Sequence, residues 1–341
     1  MFVVIDSGTT NSRIYLVNEE GKILASVSKM VGVRDTSITG SRDKLRSGLK
    51  ELFFELLKRE KISPNEIRFA IASGMITSEI GLIDLPHLIA PVGLEELSAN
   101  ICKCSDPDVL PIPCPTYFIR GVRNDYPEDA DIHDLCDIDF MRGEEVQCIG
   151  ILKRLHPKLP CTIVVLSSHT KMIYCNENKQ IVMSKTTLSG QIREALISAT
   201  MIGKSLTEAP EEQAFGYSRE EIVETAYNCV EQDGVIRTFL MPRFMQVLLS
   251  TNAEERQIFT DSVIAADDMK AFRSMKNRGY LADTIILFGH AARCEIYRYL
   301  LKNKLQTCGE ITCISDKAAI GKLTVDGVSE VARKIIEKEN S

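Results

Sequence analysis

The chain has 341 residues, of which 44% are hydrophobic and 26% are charged, and its formal net charge is -6. This length exceeds the usual size of one hydrophobic core, so it predicts two domains with a ligand cleft between them. The charge argues against a nucleic-acid partner, because phosphate backbones are bound by basic surfaces. No apolar run reaches the roughly 18 residues of a membrane span, so no membrane segment is expected.

The amino terminus leads directly into an apolar run at 2–5, without the regions typical of a secretion signal. The 11 cysteines are scattered through apolar stretches, as is typical of thiols in a reducing compartment. We therefore predict a cytoplasmic protein. Cys102, Cys104 and Cys114 lack the spacing of zinc ligands, so no zinc site is expected there.

Apolar periodicity defines the elements of the first half. It predicts strands at 2–5, 13–17, 22–27 and 69–72, and an amphipathic helix at 43–61. The proline-rich stretch 84–135 has no sustained period and predicts loops around a site. The acidic stretch 124–139 predicts a solvated loop that leads to the second domain.

The second half repeats the three-strand meander of the first. It predicts strands at 162–166, 172–175, 180–183, 284–288 and 310–314, and helices at 191–201, 218–232, 236–249, 254–278, 291–303 and 328–339. This alternation predicts an α/β fold with domains at 1–138 and 139–341. The last helix could pack against the first domain. The apolar helix at 236–249 is a candidate for a homodimer surface or for core.

The turn Asp6-Ser7-Gly8-Thr9-Thr10-Asn11 joins two predicted strands. Gly8 permits close approach of a ligand, the hydroxyls and N–H groups can hold phosphate oxygens, and a carboxylate at a strand end can hold hydrated magnesium. A polar hairpin without a ligand explains the same residues. The second half has a matching turn, Ser167-Ser168-His169-Thr170-Lys171. The presence of two such turns favours binding of a triphosphate by both of them.

The segment Met141-Arg142-Gly143-Glu144-Glu145 precedes an apolar run. A carboxylate here can accept a proton from an attacking hydroxyl, and the arginine can bind an acidic substrate. Acidic residues in the first turn of a helix are an equally simple explanation. The chain lacks the nucleophile elbow, the P-loop, the zinc-protease motif and the dinucleotide fingerprint. Adjacent Ser168 and His169 point to opposite faces of a strand, which disfavours a hydrolase.

Taken together, several segments resemble the 2-keto-3-deoxygalactonate kinase (2-dehydro-3-deoxygalactonokinase) family, within the superfamily of actin and the sugar kinases. Residues 6–13 are similar to its D-W-G-T-T-N-x-R, 73–78 to A-G-M-x-G-S, 141–147 to M-R-G-E-E-T-Q, 167–171 to G-T-H-S-K and 188–191 to M-T-G-E. The matches cover nearly the whole chain in the same order. Residues 288–290 loosely resemble the glycine turn that holds the nucleotide.

The resemblance implies two actin-like (ribonuclease H-like) domains that transfer a phosphoryl group from ATP, with Mg²⁺, to 2-keto-3-deoxygalactonate, giving its 6-phosphate. Asp6 would hold Mg²⁺ through water. Related kinases carry a catalytic aspartate that corresponds to Glu144, with Glu145 as the next candidate. The residues implied to bind ATP and its phosphates are Gly8, Thr9, Thr10, Asn11, Ser168, His169, Lys171 and Gly289. Those implied to bind the sugar acid are Arg13, Arg142, Gly74 and Met75.

The chain also departs from the family pattern. Ser7 replaces a tryptophan, Ser167 replaces a glycine of the second phosphate turn, and His290 and Ala291 make the nucleotide turn less open. If the replaced glycine has positive φ, Ser167 adds backbone strain. A second hypothesis is therefore a nucleotide-binding sensor without turnover, and a third is a kinase of another acid or polyol.

Overall fold

A computed structural model describes residues 1–207, 216–249 and 251–340. They form an α/β fold of two compact units. Unit 1 comprises Met1–Leu159, Cys175–Ser184 and Ala318–Ser341, and unit 2 comprises Pro160–Tyr174 and Lys185–Lys317. The predicted boundary at 138/139 falls inside unit 1, and the last helix belongs to unit 1.

The strands and helices are numbered in chain order. Those up to residue 155 are β1 Phe2–Ser7, β2 Ser12–Val17, β3 Ile23–Lys29, α1 Val33–Thr39, α2 Asp43–Glu60, β4 Ala70–Gly74, β5 Leu88–Ile89, α3 Leu94–Ala99, β6 Cys102–Cys104, β7 Thr116–Phe118, β8 Val122–Arg123, β9 Phe140–Met141 and α4 Glu144–Leu155. Short 3-10 helices lie at Pro64–Glu66, Met75–Thr77 and Ile132–Asp134.

The later elements follow the same numbering. They are β10 Cys161–Leu166, β11 Thr170–Cys175, β12 Ile181–Thr187, α5 Ser189–Ala199, α6 Ile202–Thr207, α7 Arg219–Asp233, α8 Val235–Thr238, α9 Met241–Leu248, α10 Ala253–Asn277, β13 Thr284–Gly289, α11 Ala291–Lys304, β14 Ile311–Ile314 and α12 Lys317–Glu339. The predicted meanders, the helix at 43–61 and the helix at 254–278 are confirmed to within two residues, except that β12 continues to Thr187.

The main sheet of unit 1 has the strand order β3-β2-β1-β4-β7-β6. Strand β1 pairs antiparallel with β2 and parallel with β4, so the carboxyl ends of β1 and β4 lie side by side. Helix α2 buries the face predicted from its periodicity, with the side chains of Leu45, Leu49, Leu52, Phe53, Leu56 and Leu57. Burial of a leucine-sized side chain contributes roughly 1.5–3 kcal/mol each, which fixes this helix to the sheet.

The second sheet has the strand order β12-β11-β10-β13-β14. Strand β10 pairs parallel with β13, and Leu166 lies opposite Gly289 at their carboxyl ends. Both sheets therefore continue from a three-strand meander into a parallel strand. This repeat was predicted from the sequence.

Three predicted elements need correction. The stretch 84–135 is more than loops, because β7 is buried and pairs parallel with β4. The single helix predicted at 236–249 is two helices. Pro242, in the first turn of α9, has no backbone N–H to donate to a carbonyl oxygen of the preceding turn, so it begins a new helix. Helix α12 begins at Lys317 rather than at 328.

The apolar residues of α8 and α9 are largely in solvent, with Ile236 81% and Leu248 74% exposed. The alternative that this segment forms core is therefore wrong for these side chains, and the homodimer stays a prediction. None of the helices described here combines the length and hydrophobicity that a membrane-spanning segment requires.

Helices α4 and α12 meet through two glycines. A Cβ on Gly150 would lie 2.1 Å from the Leu323 carbonyl oxygen, and a Cβ on Gly327 would lie 1.8 Å from that of Val146. Each glycine therefore allows backbone to touch backbone. This close contact holds the amino-terminal half of α4 in unit 1.

We expect Gly327→Ala to lower the free energy of unfolding by about 2 kcal/mol or more, because overpacking forces the two helices apart. Gly321→Ala is the matched control on the same helix. Its nearest neighbour would be the Tyr15 hydroxyl at 3.7 Å, so we expect stabilisation by about 0.5–1 kcal/mol. Urea denaturation measures both variants. Equal stability of the two variants would contradict the close contact.

Candidate functional site

The hairpin between β1 and β2 is held from one side and open on the other. The Gly8 N–H donates to the Asn11 carbonyl oxygen at 2.9 Å, and the Thr9 carbonyl oxygen accepts from the Arg34 N–H at 2.9 Å. The side chains of Thr9, Thr10 and Asn11 are exposed. The start of α1 thus fixes the backbone while the polar side chains stay accessible to a ligand.

Gly74 sits at the carboxyl end of β4, directly opposite Ser7. Its φ is +91°, and a Cβ here would lie 2.6 Å from the Ser7 carbonyl oxygen. Only glycine fits this approach. It places Met75, which begins a 3-10 turn, beside the end of β1.

Helix α4 begins next to this pair of strand ends. Its N-cap is Gly143, with φ +110°, and a Cβ on Gly143 would lie 3.4 Å from the Gly74 Cα. Glu144 and Glu145 occupy the first turn, where the helix dipole favours negative charge. The three segments singled out in the first half of the sequence therefore meet in unit 1.

The two glutamates have different surroundings. Glu145 is 1% exposed, and its Oε1 and Oε2 accept from the Gly143 N–H at 2.9 and 2.7 Å. Burial and the charge of Glu144 raise the pKa of Glu145 to about 8, against the opposing effect of these hydrogen bonds. Glu144 is only half-buried. Of the two side chains, that of Glu144 is the more exposed.

Asp6 completes a charged cluster at the end of β1. The Arg13 Nη1 lies 3.8 Å from the Asp6 Oδ2. Desolvation raises the pKa of Asp6, the Arg13 charge opposes this rise and Glu144 adds to it. Asp6, Arg13 and Glu144 are thus electrostatic neighbours.

Arg142 is engaged with the protein itself. Its Nη1 donates to the Thr77 Oγ1 at 2.9 Å and its Nη2 donates to the Leu85 carbonyl oxygen at 2.7 Å. The guanidinium therefore ties the turn after β4 to the start of α4. Ser7, which stands in place of the family tryptophan, is buried, and its Oγ lies 2.9 Å from the Ser12 Oγ.

In unit 2 the turn after β10 is compact. The Ser167 N–H and Oγ donate to the His169 carbonyl oxygen at 3.1 and 3.3 Å. Ser167 is not among the non-glycine residues with positive φ, so the expected backbone strain is absent. Ser168 is exposed, and His169 lies 3.3 Å away, measured from the Ser168 Oγ to the His169 Nδ1.

Two glycines pack on this turn. Gly289 has φ +153°, and a Cβ on it would lie 2.5 Å from the Leu166 carbonyl oxygen. A Cβ on Gly190 would lie 2.1 Å from the Ser167 carbonyl oxygen. In unit 2, Ser168 and His169 follow the carboxyl end of β10, and Gly289 lies opposite Leu166 at the end of β13. That these residues bind one ligand stays a prediction.

Lys171 is placed differently from these residues. Its side chain is 5% exposed, and its Nζ donates to the Thr186 Oγ1 at 2.7 Å. The lysine that we expected to contact phosphate is therefore buried on β11 rather than extended into solvent.

A buried polar network under this turn was missed by the sequence analysis. The Ser189 Oγ donates to the Asp268 carboxylate at 2.7 Å, and the Tyr297 hydroxyl donates to the same group. The Thr170 Oγ1 lies 3.2 Å from that hydroxyl and accepts from the Arg293 Nη2 at 3.2 Å. Burial raises the pKa of Asp268. A charged residue on the buried face of α10 was the only signal in the sequence.

The carboxylate oxygens of unit 1 suit a metal ion that retains bound water molecules. Within the described ranges, no three His, Cys, Asp or Glu side chains are grouped as a metal-ligand set. Mg²⁺ is commonly bound by one or two carboxylates together with phosphate oxygens and water. The carboxylate of Asp6, at the end of β1, fits this requirement.

Comparison with known proteins gives one family and one fold. A family model for 2-keto-3-deoxy-galactonokinase matches residues 6–323. No curated protein matches at the significance threshold.

Two solved structures share the architecture. A protein from Sinorhizobium meliloti with the provisional name 2-dehydro-3-deoxygalactonokinase has a TM-score of 0.72 and 17% identity, over 98% of this chain and 97% of that one. The activator of the 2-hydroxyisocaproyl-CoA dehydratase from Clostridium difficile, with bound ADPNP, has a TM-score of 0.50 and 12% identity, over 99% and 97%.

These similarities confirm the predicted actin-like α/β fold. The family model spans the charged cluster of unit 1 and the glycine turns of both units. The chain belongs to the 2-keto-3-deoxy-galactonokinase family.

Proposed function

We propose that the protein transfers the γ-phosphoryl group of ATP to a hydroxyl of 2-keto-3-deoxygalactonate, giving the 6-phosphate. The observation that carries this proposal is the cluster of Asp6, Arg13 and Glu144 beside an exposed polar hairpin. In a kinase, such a cluster would provide a base, a cation ligand and a partner for an acidic substrate.

Glu144 is the proposed general base. It is half-buried at the start of α4 and lies near Asp6. The hydroxyl oxygen of the sugar acid bonds to the γ-phosphorus, the bond from that phosphorus to the β–γ bridging oxygen breaks, and the hydroxyl proton passes to Glu144. ADP leaves with the bridging oxygen.

Asp6 is the proposed ligand of Mg²⁺, through water. When bound, the cation neutralises charge on the phosphate oxygens. The backbone N–H groups and hydroxyls of Gly8, Thr9, Thr10 and Asn11 are the proposed phosphate contacts in unit 1. Their support is the exposure of the hairpin and its fixed backbone.

Ser168, His169 and Gly289 are the proposed ATP contacts in unit 2. Their support is the exposure of the Ser168 hydroxyl and the close backbone approach at Gly289. We assign Lys171 a structural role, because its ammonium group is buried against Thr186. The Asp268 network would hold the turn in place from below.

Arg13 is the proposed partner of the substrate carboxylate. Its side chain is 54% exposed and is only loosely paired with Asp6 at 3.8 Å. We assign Arg142 a positioning role, because both of its terminal nitrogens already donate to protein oxygens. Gly74 and Met75 would form the wall of the sugar-acid site between these arginines.

Release of ADP with a panel of keto-deoxy sugar acids tests the activity. We expect turnover with 2-keto-3-deoxygalactonate and Mg²⁺, and a lower kcat/KM with polyols that lack the carboxylate. Phosphorylation of a polyol with higher kcat/KM would assign another acceptor. Binding of ATP without turnover on any acid or polyol would contradict the kinase and favour the sensor.

We expect Glu144→Gln to lower kcat by about 100-fold or more, because the amide cannot accept the proton. The KM for ATP should stay within about twofold, since Glu144 is not a proposed nucleotide contact. Steady-state kinetics with saturating sugar acid measure both values. Glu95→Gln, on the exposed part of α3, is a control that should leave kcat unchanged. A loss of less than about tenfold would exclude Glu144 as the base.

Glu145→Gln should change the dependence of stability on pH. The pKa of Glu145 is about 8 in the folded chain, above its ordinary value of 4.5, so the folded state binds the proton more tightly. Its stabilising contribution is complete below about pH 4.5 and is lost as the pH rises to about 8.

The wild-type free energy of unfolding should therefore fall between pH 5 and pH 8 more steeply than that of Glu145→Gln, by up to about 1.4 kcal/mol per pH unit. Urea denaturation at four pH values measures the slope. Equal slopes for wild type and variant would show that Glu145 ionises normally in the folded chain.

A further inference from the structure

Two neighbouring strands of unit 1 present polar side chains on one face of their sheet. Arg13 and Tyr15 lie on β2, and their cross-strand partners on β3 are Ser28 and Ser26. Residues two apart in a strand share a face, and directly opposite residues of an antiparallel pair share it with them. A guanidinium, a phenol and two serine hydroxyls therefore lie side by side, with Asp6 opposite Arg13 on β1.

The hydroxyl of Tyr15 has no partner within the protein. The residue is 8% exposed, and none of the residues that the structure describes forms a hydrogen bond with this hydroxyl. Its neighbour on α12 is a glycine, because the Cβ that Gly321 lacks would lie 3.7 Å from the Tyr15 hydroxyl oxygen. Burial and the Asp6 charge raise the pKa of Tyr15, against the effect of Arg13, so the phenol keeps its proton at neutral pH. A nearly buried donor without an acceptor is an exception in folded proteins, which points to a ligand.

These four side chains line a cavity of about 390 Å³. This volume is within the roughly 300–1,000 Å³ that is usual for small-molecule sites. Val27, Glu55 and Arg59 complete the lining. The Arg59 Nε is paired with the Glu60 Oε1 at 2.9 Å, whereas the Glu55 carboxylate bonds to none of the described residues. The cavity thus offers donors on β2 and β3 and an acceptor on α2, which suits a molecule with a carboxylate and several hydroxyl groups.

The position of the cavity fits the proposed acceptor. The strand register places Asp6, Arg13 and Ser28 in one row across β1, β2 and β3. Neighbouring strands lie about 4.8 Å apart, so the row spans about 10 Å. A six-carbon acid carries its carboxylate and its terminal hydroxyl at opposite ends of a chain of similar length. When the hydroxyl lies near Asp6, the carboxylate reaches the polar face of β2 and β3.

We propose that Tyr15 is a specificity-determining residue of the acceptor site, where its hydroxyl donates a hydrogen bond to the substrate carboxylate held by Arg13. Ser26 and Ser28 bind the adjacent keto and hydroxyl oxygens, and Glu55 accepts from a hydroxyl of the acid. This inference rests on the acceptor class of the proposed function. It extends that proposal, because Arg13 alone binds any carboxylate, whereas the surrounding hydroxyl groups select a polyhydroxylated acid.

The experiment titrates 2-keto-3-deoxygalactonate into the full-length protein in a calorimeter, with Mg²⁺ and a non-hydrolysable ATP analogue present. We expect Tyr15→Phe to raise the Kd about tenfold or more, because a hydrogen bond to a charged group is lost. Ser28→Ala should raise the Kd about threefold or more, because a bond to a neutral oxygen is lost. The uncharged methyl ester of the acid should bind wild type and Tyr15→Phe with Kd values within about threefold of each other.

Tyr117→Phe is the matched control on β7 of the same sheet, since the Tyr117 hydroxyl donates to the Glu339 Oε1 at 2.8 Å. It should leave the Kd for the acid unchanged. The free energy of unfolding of Tyr15→Phe without ligand should equal or exceed the wild-type value, because the lost hydroxyl has no protein partner. A lower stability would assign that hydroxyl a structural role and overturn the proposal.

The outcomes separate this inference from the kinase proposal. Acid binding that depends on Tyr15, without turnover of ATP, would support the acceptor site and contradict only the kinase. Turnover with the wild-type Kd and kcat/KM in Tyr15→Phe would overturn the role of Tyr15 and leave the kinase in place. Absence of acid binding to the wild type would overturn the acceptor site as well.

Discussion

One constraint recurs at the centre of both units: a glycine at the end of a parallel strand touches the carbonyl oxygen at the end of its neighbour. Gly74 does this against Ser7, and Gly289 does it against Leu166, at 2.6 and 2.5 Å for the Cβ that each lacks. Both glycines have positive φ. A side chain at either position would separate the strands and move the turns that follow. The geometry of both turns therefore depends on the absence of a Cβ at these two glycines.

Around these strand ends the chain buries carboxyl groups, and their surroundings decide what each can do. Glu145 and Asp268 are both nearly inaccessible, and both are held by hydrogen bonds at the base of a turn. Burial raises the pKa of each, so the folded state favours the protonated form of both carboxyl groups. Asp6 and Glu144 keep some exposure. The buried pair holds neighbouring groups by hydrogen bonds, and the more accessible pair is the one proposed for chemistry.

The same distinction separates the basic residues. Arg142 and Lys171 carry charges that the protein satisfies internally, through Thr77, Leu85 and Thr186. Arg13 remains more than half exposed beside Asp6. A basic residue in a sequence motif can thus have a structural role, because its long side chain can bond to a neighbouring segment of the protein instead of to a ligand. Exposure, rather than residue type, makes Arg13 the proposed substrate contact.

The sequence by itself determined the repeated meander, the long amphipathic helices and the segments that form the charged cluster, because period and turn residues are local properties. It also indicated the family through motifs whose order covers nearly the whole chain. Only the tertiary structure decided that Glu144 is accessible and Glu145 is not, since adjacent residues differ only in what packs on them. It likewise revealed β7, the Asp268 network and the position of the Tyr15 hydroxyl opposite Gly321. These features join residues distant in the chain, and no local pattern records such contacts.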